Sequence, residues 1–168
     1  MPMHANVELM DLLARLGLAM LFGGLIGLDR EMRHRPAGIR TMMLVAVGAA
    51  TFVLVGLGAR FGDGAVMSPA DVSRIIQGIV GGIGFLGAGV VLRVDDRVKG
   101  VTTAAAVWAT AAVGVACGMG DFRLATVVGL MTLTILTVMN VLERVVVGKK
   151  GSRKHREQGP GADEGVGG

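Results

Sequence analysis

Five long apolar stretches constrain the fold of this chain more than any other feature. They predict helices at about 9–28, 41–59, 69–92, 100–118 and 123–147. Each has about the 20 residues that an α-helix needs to cross the hydrocarbon core of a bilayer. The fourth is rich in Ala, Gly and Thr, so we expect the other helices to shelter it from lipid. The sequence thus predicts an all-α membrane protein, a bundle of about five transmembrane helices within residues 1–147.

The composition supports this reading and excludes several soluble classes. Apolar residues make up 52 % of the chain, charged residues only 18 %, and the mean hydropathy is +0.62. The 28 glycines follow no Gly-X-Y period, which excludes collagen and fits membrane helices that approach one another closely. The first stretch has no Lys or Arg before it and no clear cleavage site, so we interpret it as a retained helix rather than a signal peptide.

The basic residues predict the orientation of the bundle. Thirteen Lys and Arg side chains fall after the first, third and fifth stretches, whereas three fall after the second and fourth. Cytoplasmic loops carry the excess of Lys and Arg, so the N-terminus is predicted outside and the C-terminus in the cytoplasm. The net charge is +4, but the basic residues lie between and after the apolar stretches, which is the pattern of membrane topology. Nucleic-acid binding is therefore not expected.

Two local patterns lie at the membrane boundaries. Ser68, Pro69 and Asp71 form a helix-start signal, with Pro at the first helical position, and Asp71 and Arg74 share a face as a pair at the outer interface. Residues 148–168 contain almost no apolar side chains, so we expect a disordered, basic cytoplasmic tail. That tail serves either as a topology anchor or as a specific site for lipid or a partner.

Small residues form stripes on two of the predicted helices. Gly23 and Gly27 continue a stripe from Ala19 on the first helix. The third helix carries a second group of glycines, namely Gly82, Gly84, Gly87 and Gly89. Such stripes allow helices to pack closely on one another. The alternative role is to let a solute or a sliding helix approach the backbone closely.

Charges concentrate at the end of the first helix and the start of the second. Asp29, Arg30, Glu31 and Arg40 are expected to form one cluster at the cytoplasmic mouth of the bundle. The orientation in the membrane depends on Lys and Arg and does not require acidic residues there. The cluster therefore either stabilises the structure through ion pairs or is a functional site.

Three motifs, in order, resemble signatures of the MgtC/SapB membrane proteins. They are Gly24–Glu31 (GLIGLDRE) with Pro36–Thr41, then Gly82–Gly89 (GIGFLGAG), then Lys99–Ala105 (KGVTTAA) with Trp108. Together they cover roughly residues 10–145, and Asp29 stands where a Glu is often expected. The resemblance implies a multi-pass bacterial inner-membrane protein of five helices, linked to magnesium limitation and, in some pathogens, to virulence. It also implies a short form, without the soluble C-terminal domain of longer members.

Within the third motif, Trp108 lies near the middle of a helix rather than at an interface. We expect it to pack against the small residues of the third helix, or alternatively to line a polar cavity. Thr102 and Thr103 are expected to cap the fourth helix or to donate into a cavity.

Two functions from different classes remain. The first is a regulatory protein that acts on membrane partners through its glycine-rich faces, and the second is a cation transporter or channel, possibly for Mg²⁺. No predicted span carries a carboxylate in its uncharged part, which argues against direct transport of an ion that prefers oxygen ligands. No enzyme signature and no cofactor site appear, the ligands of any metal stay unknown, and a homo-oligomer in the lipid bilayer is expected.

Overall fold

Helices make up most of the computed structural model, which describes residues 3–58, 68–94 and 97–157. The helices are α1 (Met3–Met32), α2 (Ile39–Gly58), α3 (Pro69–Val90), α4 (Val101–Met119) and α5 (Phe122–Glu157). Two short antiparallel strands, β1 (Leu92–Val94) and β2 (Arg97–Lys99), stand between α3 and α4.

Each helix contains a segment long and apolar enough to cross a bilayer. These segments are Leu9–Met32, Ile39–Gly56, Pro69–Val90, Val101–Met119 and Phe122–Met139. The predicted all-α membrane fold with five spans is therefore confirmed. The side of the membrane that each end faces stays a prediction.

The helices at the two ends of the chain are longer than predicted. α1 runs from Met3 to Met32 rather than over 9–28, and α5 continues to Glu157. Residues 148–157 are thus helical, which differs from the predicted disorder of the tail, and residues 158–168 lie outside the described part. Lys, Arg and Glu favour helix, and an existing helix is extended without the cost of a new nucleus.

Local signals set the boundaries of α3 and α4. Ser68 and Asp71 form a reciprocal capping box with Pro in the first turn, which confirms the predicted helix start. Gly100 and Gly120 flank α4 with φ of 90° and 78°, values that L-residues with a side chain rarely adopt. The β1–β2 hairpin was not predicted, since its three-residue strands are too short to show a period.

The core consists mainly of small side chains and lies within the first compact unit, Met1–Thr134. Its buried members come from four helices: Ala19, Phe22, Ala46, Ala50, Val113, Ala116, Cys117 and Ala125. α4 is the most buried helix, so the expected shelter of its Ala- and Gly-rich sequence is confirmed. The second unit, Ile135–Gly168, is in its described part the remainder of α5.

α3 is the least enclosed of these helices. Among its residues only Gly87 is buried, whereas α1, α2 and α4 pack closely on one another. Most of α3 is therefore left to face lipid or another protein.

Candidate functional site

The turn between α1 and α2 is held by the side chain of Arg30. Its Nε donates to the carbonyl oxygen of Ala37 at 3.2 Å, and its Nη2 donates to that of Pro36 at 2.8 Å. Ala37 has a φ of 59°, a left-handed conformation that is unfavourable for a residue with a Cβ. The guanidinium thus stabilises a strained turn from within the protein.

The same guanidinium joins this turn to α4. Nη2 of Arg30 donates to Oγ1 of Thr103 at 2.7 Å, and the two side chains are almost fully buried, at 2 % and 4 % exposure. A buried charge is tolerated only where hydrogen bonds replace its hydration. We call Arg30, Pro36, Ala37 and Thr103 the Arg30 cluster.

The acidic residues beside Arg30 serve local partners. Asp29 is buried and pairs with Arg33, at 2.9 Å, one turn further along α1. Glu31 accepts a hydrogen bond from the backbone N–H of Ile39 at 2.9 Å and so caps the start of α2. Among the described residues Arg40 makes no hydrogen bond or ion pair and is exposed. The four residues of the expected cluster thus lie at one end of the bundle, where Glu31 and Arg40 line one recess, but among the described residues Arg40 pairs with neither carboxylate.

A second arginine fastens α1 to the other end of α4. Nη1 of Arg15 donates to the carbonyl oxygen of Gly118 at 2.9 Å, in the last turn of α4. Its Nε lies 2.8 Å from Oδ2 of Asp11, an ion pair without the alignment of a hydrogen bond. A cation at a helix C-terminus complements the helix dipole. The sequence did not predict this partner on α4.

The glycine stripe of α1 lies against α2. A Cβ built on Gly27 would stand 2.5 Å from Cα of Ile39, and one on Gly23 would stand 2.7 Å from the carbonyl oxygen of Met42. Both distances are too short for any side chain. The two helices therefore meet backbone to backbone at the Arg30 end of the bundle.

A second close contact, which was not predicted, joins α2 and α4. A Cβ on Gly118 would stand 2.7 Å from the carbonyl oxygen of Ala50, and a Cβ on Gly114 would overlap the backbone of Ala46. The spacing of Gly114 and Gly118 is that of the small-xxx-small motif of membrane helices, and this signal was available in the sequence.

The glycines of α3 behave differently. A Cβ on Gly82, Gly84 or Gly89 would meet no heavy atom within 4 Å, and one on Gly87 would make an ordinary contact of 3.6 Å with Ala104. No described residue therefore packs on Gly82, Gly84 or Gly89. Gly82 borders an open space between α3 and α2, and Gly84 borders one between α3 and α4.

The structure also places the other predicted side chains. Trp108 lies in the crease between α3 and α4, beside the small residues Gly84 and Gly87 of α3 as expected, but it is 53 % exposed rather than enclosed. Thr103 does not cap α4, since Gly100 occupies that position without a side-chain bond, and Thr102 is exposed. Asp71 and Arg74 form the expected pair, with Nη1 of Arg74 3.9 Å from Oδ1 of Asp71, while Oδ2 of Asp71 accepts a hydrogen bond from the Ser68 hydroxyl at 2.7 Å.

Acidic, Cys and His side chains do not form a metal site in the part of the chain that the structure describes, because no three of them come together as possible ligands. Of the carboxylates at the Arg30 end, Asp29 pairs with Arg33 and Glu31 accepts a hydrogen bond from the backbone of Ile39.

The sequence of this chain is similar to known proteins of one family. Residues 16–145 match the model of the MgtC family. Protein SrpB of Synechococcus elongatus is 43 % identical over 139 residues, covering 78 % of this chain and 76 % of that protein. Protein MgtC of Salmonella typhimurium is 45 % identical over 126 residues (75 % and 49 %), and that of Brucella abortus 43 % over 128 (76 % and 51 %). The chain thus spans about half the length of these MgtC proteins. No solved structure matches.

Proposed function

Because the chain belongs to the MgtC family, we propose that it is a multi-pass bacterial inner-membrane protein that supports adaptation to low Mg²⁺ by acting on membrane partners. The observation that carries this proposal is the closed packing of α1, α2 and α4 around the buried Arg30 guanidinium. A role as a cation transporter or channel is the alternative, and the experiment below separates the two.

The packing leaves little room for a pathway between these three helices. Gly23 and Gly27 bring α1 to the backbone of α2, and Gly114 and Gly118 bring α4 to it. Thr110, buried near the middle of α4, donates to the carbonyl oxygen of Ala106 in its own helix at 2.8 Å. Its hydroxyl is therefore engaged within the helix rather than presented to a passing ion.

The charge at the Arg30 end also opposes cation passage. The buried guanidinium is bonded to Pro36, Ala37 and Thr103 and so is fixed between the turn and α4. A fixed positive charge in a region of low dielectric repels a divalent cation strongly.

The crease between α3 and α4 is the surface that we assign to a membrane partner. Gly84 is exposed there, and Trp108 beside it makes no hydrogen bond to any described residue. Trp108 lies seven residues into α4, about 10 Å from its start by helical rise and so at hydrocarbon depth. An indole N–H in lipid lacks an acceptor, which a partner helix packed on Gly84 would supply.

The proposal is tested by combining growth with ion flux. A strain lacking this gene is complemented with wild-type protein and grown at low Mg²⁺, while the purified protein is reconstituted alone in liposomes and Mg²⁺ entry is measured. We expect growth support in the cells and no flux in the liposomes. Mg²⁺ entry above that of protein-free liposomes would establish the transporter alternative and refute the proposal.

Two variants test the partner surface. Gly84→Leu fills the crease, and Trp108→Phe replaces the indole with a smaller aromatic ring that has no N–H. Both are expected to reach the membrane at wild-type levels and to lower growth at low Mg²⁺. The matched control is Gly17→Leu on α1, where an added Cβ likewise meets nothing within 4 Å. Equal growth of Gly84→Leu and Gly17→Leu would remove the crease from the function.

A further inference from the structure

An apolar groove runs between α2 and α3 on a side of the molecule that the proposed function does not use. Its volume is about 830 Å³. Its walls include Thr41, Leu44, Gly48 and Phe52 from α2, and Gly78 and Gly82 from α3. A Cβ on Gly48, Gly78 or Gly82 would meet no heavy atom within 4 Å, so no described residue fills the groove at these positions.

The groove opens at one end onto a polar recess with cationic side chains. Thr41 lines both spaces, and the recess, of about 760 Å³, is further lined by Arg35, Arg40 and the Glu31 carboxylate that caps α2. Arg40 is exposed, and among the described residues its guanidinium has no partner. Arg40 and Leu44 are four residues apart and share a face of α2, so the cation stands directly above the apolar wall.

We propose that this groove and recess bind one anionic phospholipid. The phosphate contacts the Arg40 guanidinium and the Thr41 hydroxyl, and an acyl chain lies along the groove between α2 and α3. From Thr41 to Phe52 the helix rises about 16 Å, close to the half-thickness of about 15 Å of the hydrocarbon core. The occupant is thus a lipid of the leaflet at the Arg30 end, whose headgroup charge complements the recess.

The test is native mass spectrometry of the full chain in detergent, titrated with phosphatidylglycerol or with phosphatidylcholine of the same acyl chains. Wild-type protein is expected to retain phosphatidylglycerol about fivefold more strongly, the effect of about one Arg at a lipid surface. In Arg40→Gln the two lipids are expected to bind equally. Arg74→Gln changes another exposed arginine, beside Asp71 at the start of α3, and should keep the preference.

The groove is tested separately from the recess. Gly82→Leu is expected to reduce binding of both lipids, while Gly81→Leu, whose neighbour-free position lies outside the groove, should bind as wild type. Gly48→Leu on the opposite wall provides an independent second variant if Gly82→Leu folds poorly.

Three results would overturn the proposal. They are equal retention of the two lipids by wild type, an unchanged preference in Arg40→Gln, and normal lipid binding in both groove variants. Conversion of a dimer to a monomer by Gly82→Leu, with lipid binding unchanged, would assign the groove to a second copy of the chain instead.

Discussion

Replacing Thr103 with valine tests the Arg30 cluster with little change of shape. The substitution removes the hydroxyl that accepts from Nη2 of Arg30, so one N–H of the buried guanidinium loses its acceptor. A hydrogen bond to a charged group contributes about 1.5–3 kcal/mol in soluble proteins. Interhelical hydrogen bonds in membranes average about 0.6 kcal/mol, with a maximum near 1.7, because the unfolded helices also find partners.

We expect the free-energy contribution of this hydrogen bond to lie at the upper end of the range for interhelical hydrogen bonds in membranes. Arg30 is 2 % exposed and is fixed by Pro36 and Ala37, so it does not reach solvent without opening the turn. We therefore expect Thr103→Val to lower the free energy of unfolding by about 1.5 kcal/mol.

The assay is reversible unfolding in mixed micelles with rising dodecyl sulfate, followed by the fluorescence of Trp108, the single tryptophan. Thr102→Val is the matched control, because Thr102 is the exposed neighbour on the same helix, and its effect should stay within about 0.5 kcal/mol. If Thr103→Val and Thr102→Val lower the free energy of unfolding by the same amount, the hydrogen bond to Arg30 does not hold α4 in place.

Three further predictions follow from the fold. Gly114→Leu should abolish folded protein in detergent, since even a Cβ there overlaps the α2 backbone, whereas Gly81→Leu should give wild-type yield by size-exclusion chromatography. Asp71→Ala should speed amide hydrogen exchange in the first turn of α3, because the capping box is lost, and unchanged exchange would contradict that role. With the native cysteine removed, Arg123→Cys should react with an impermeant thiol reagent from outside and His34→Cys should not, and the opposite pattern would invert the orientation.

The sequence predicted features that depend on neighbouring residues. The five spans follow from runs of apolar side chains, and the start of α3 follows from Ser68 and Asp71, which are three residues apart. The partner of Arg30 was not predictable in this way, because Thr103 is 73 residues away and its hydroxyl has several equally plausible roles.

Glycine stripes showed a different limit of sequence reasoning. Gly27 and Gly82 lie in similar small-residue patterns, yet one touches the backbone of α2 and the other faces open space. The surrounding lipid is as apolar as a protein core, so hydrophobicity does not distinguish a buried helix face from an exposed one in a membrane. The exposure of Trp108 was not predictable for the same reason, since its half-exposed ring is compatible with hydrocarbon.

The last prediction concerns the two arginines that join α1 to α4. Arg15 and Arg30 are fifteen residues apart, and so are their partners Gly118 and Thr103, which shows that the two helices run antiparallel in a fixed register. Fifteen residues of helix rise about 22 Å, so the two contacts share no neighbour and should act independently.

A double-mutant cycle tests this independence. The unfolding free-energy changes of Arg15→Gln and Thr103→Val should add to within about 0.5 kcal/mol, as for distant sites. Those of Arg30→Gln and Thr103→Val should not add, because either change alone breaks the bond between Nη2 and Oγ1. Additivity in the second pair would mean that Arg30 stabilises only its own turn. Coupling in the first pair would mean that the two contacts between α1 and α4 are not independent. Loosening the helices at one end would then change their register at the other end.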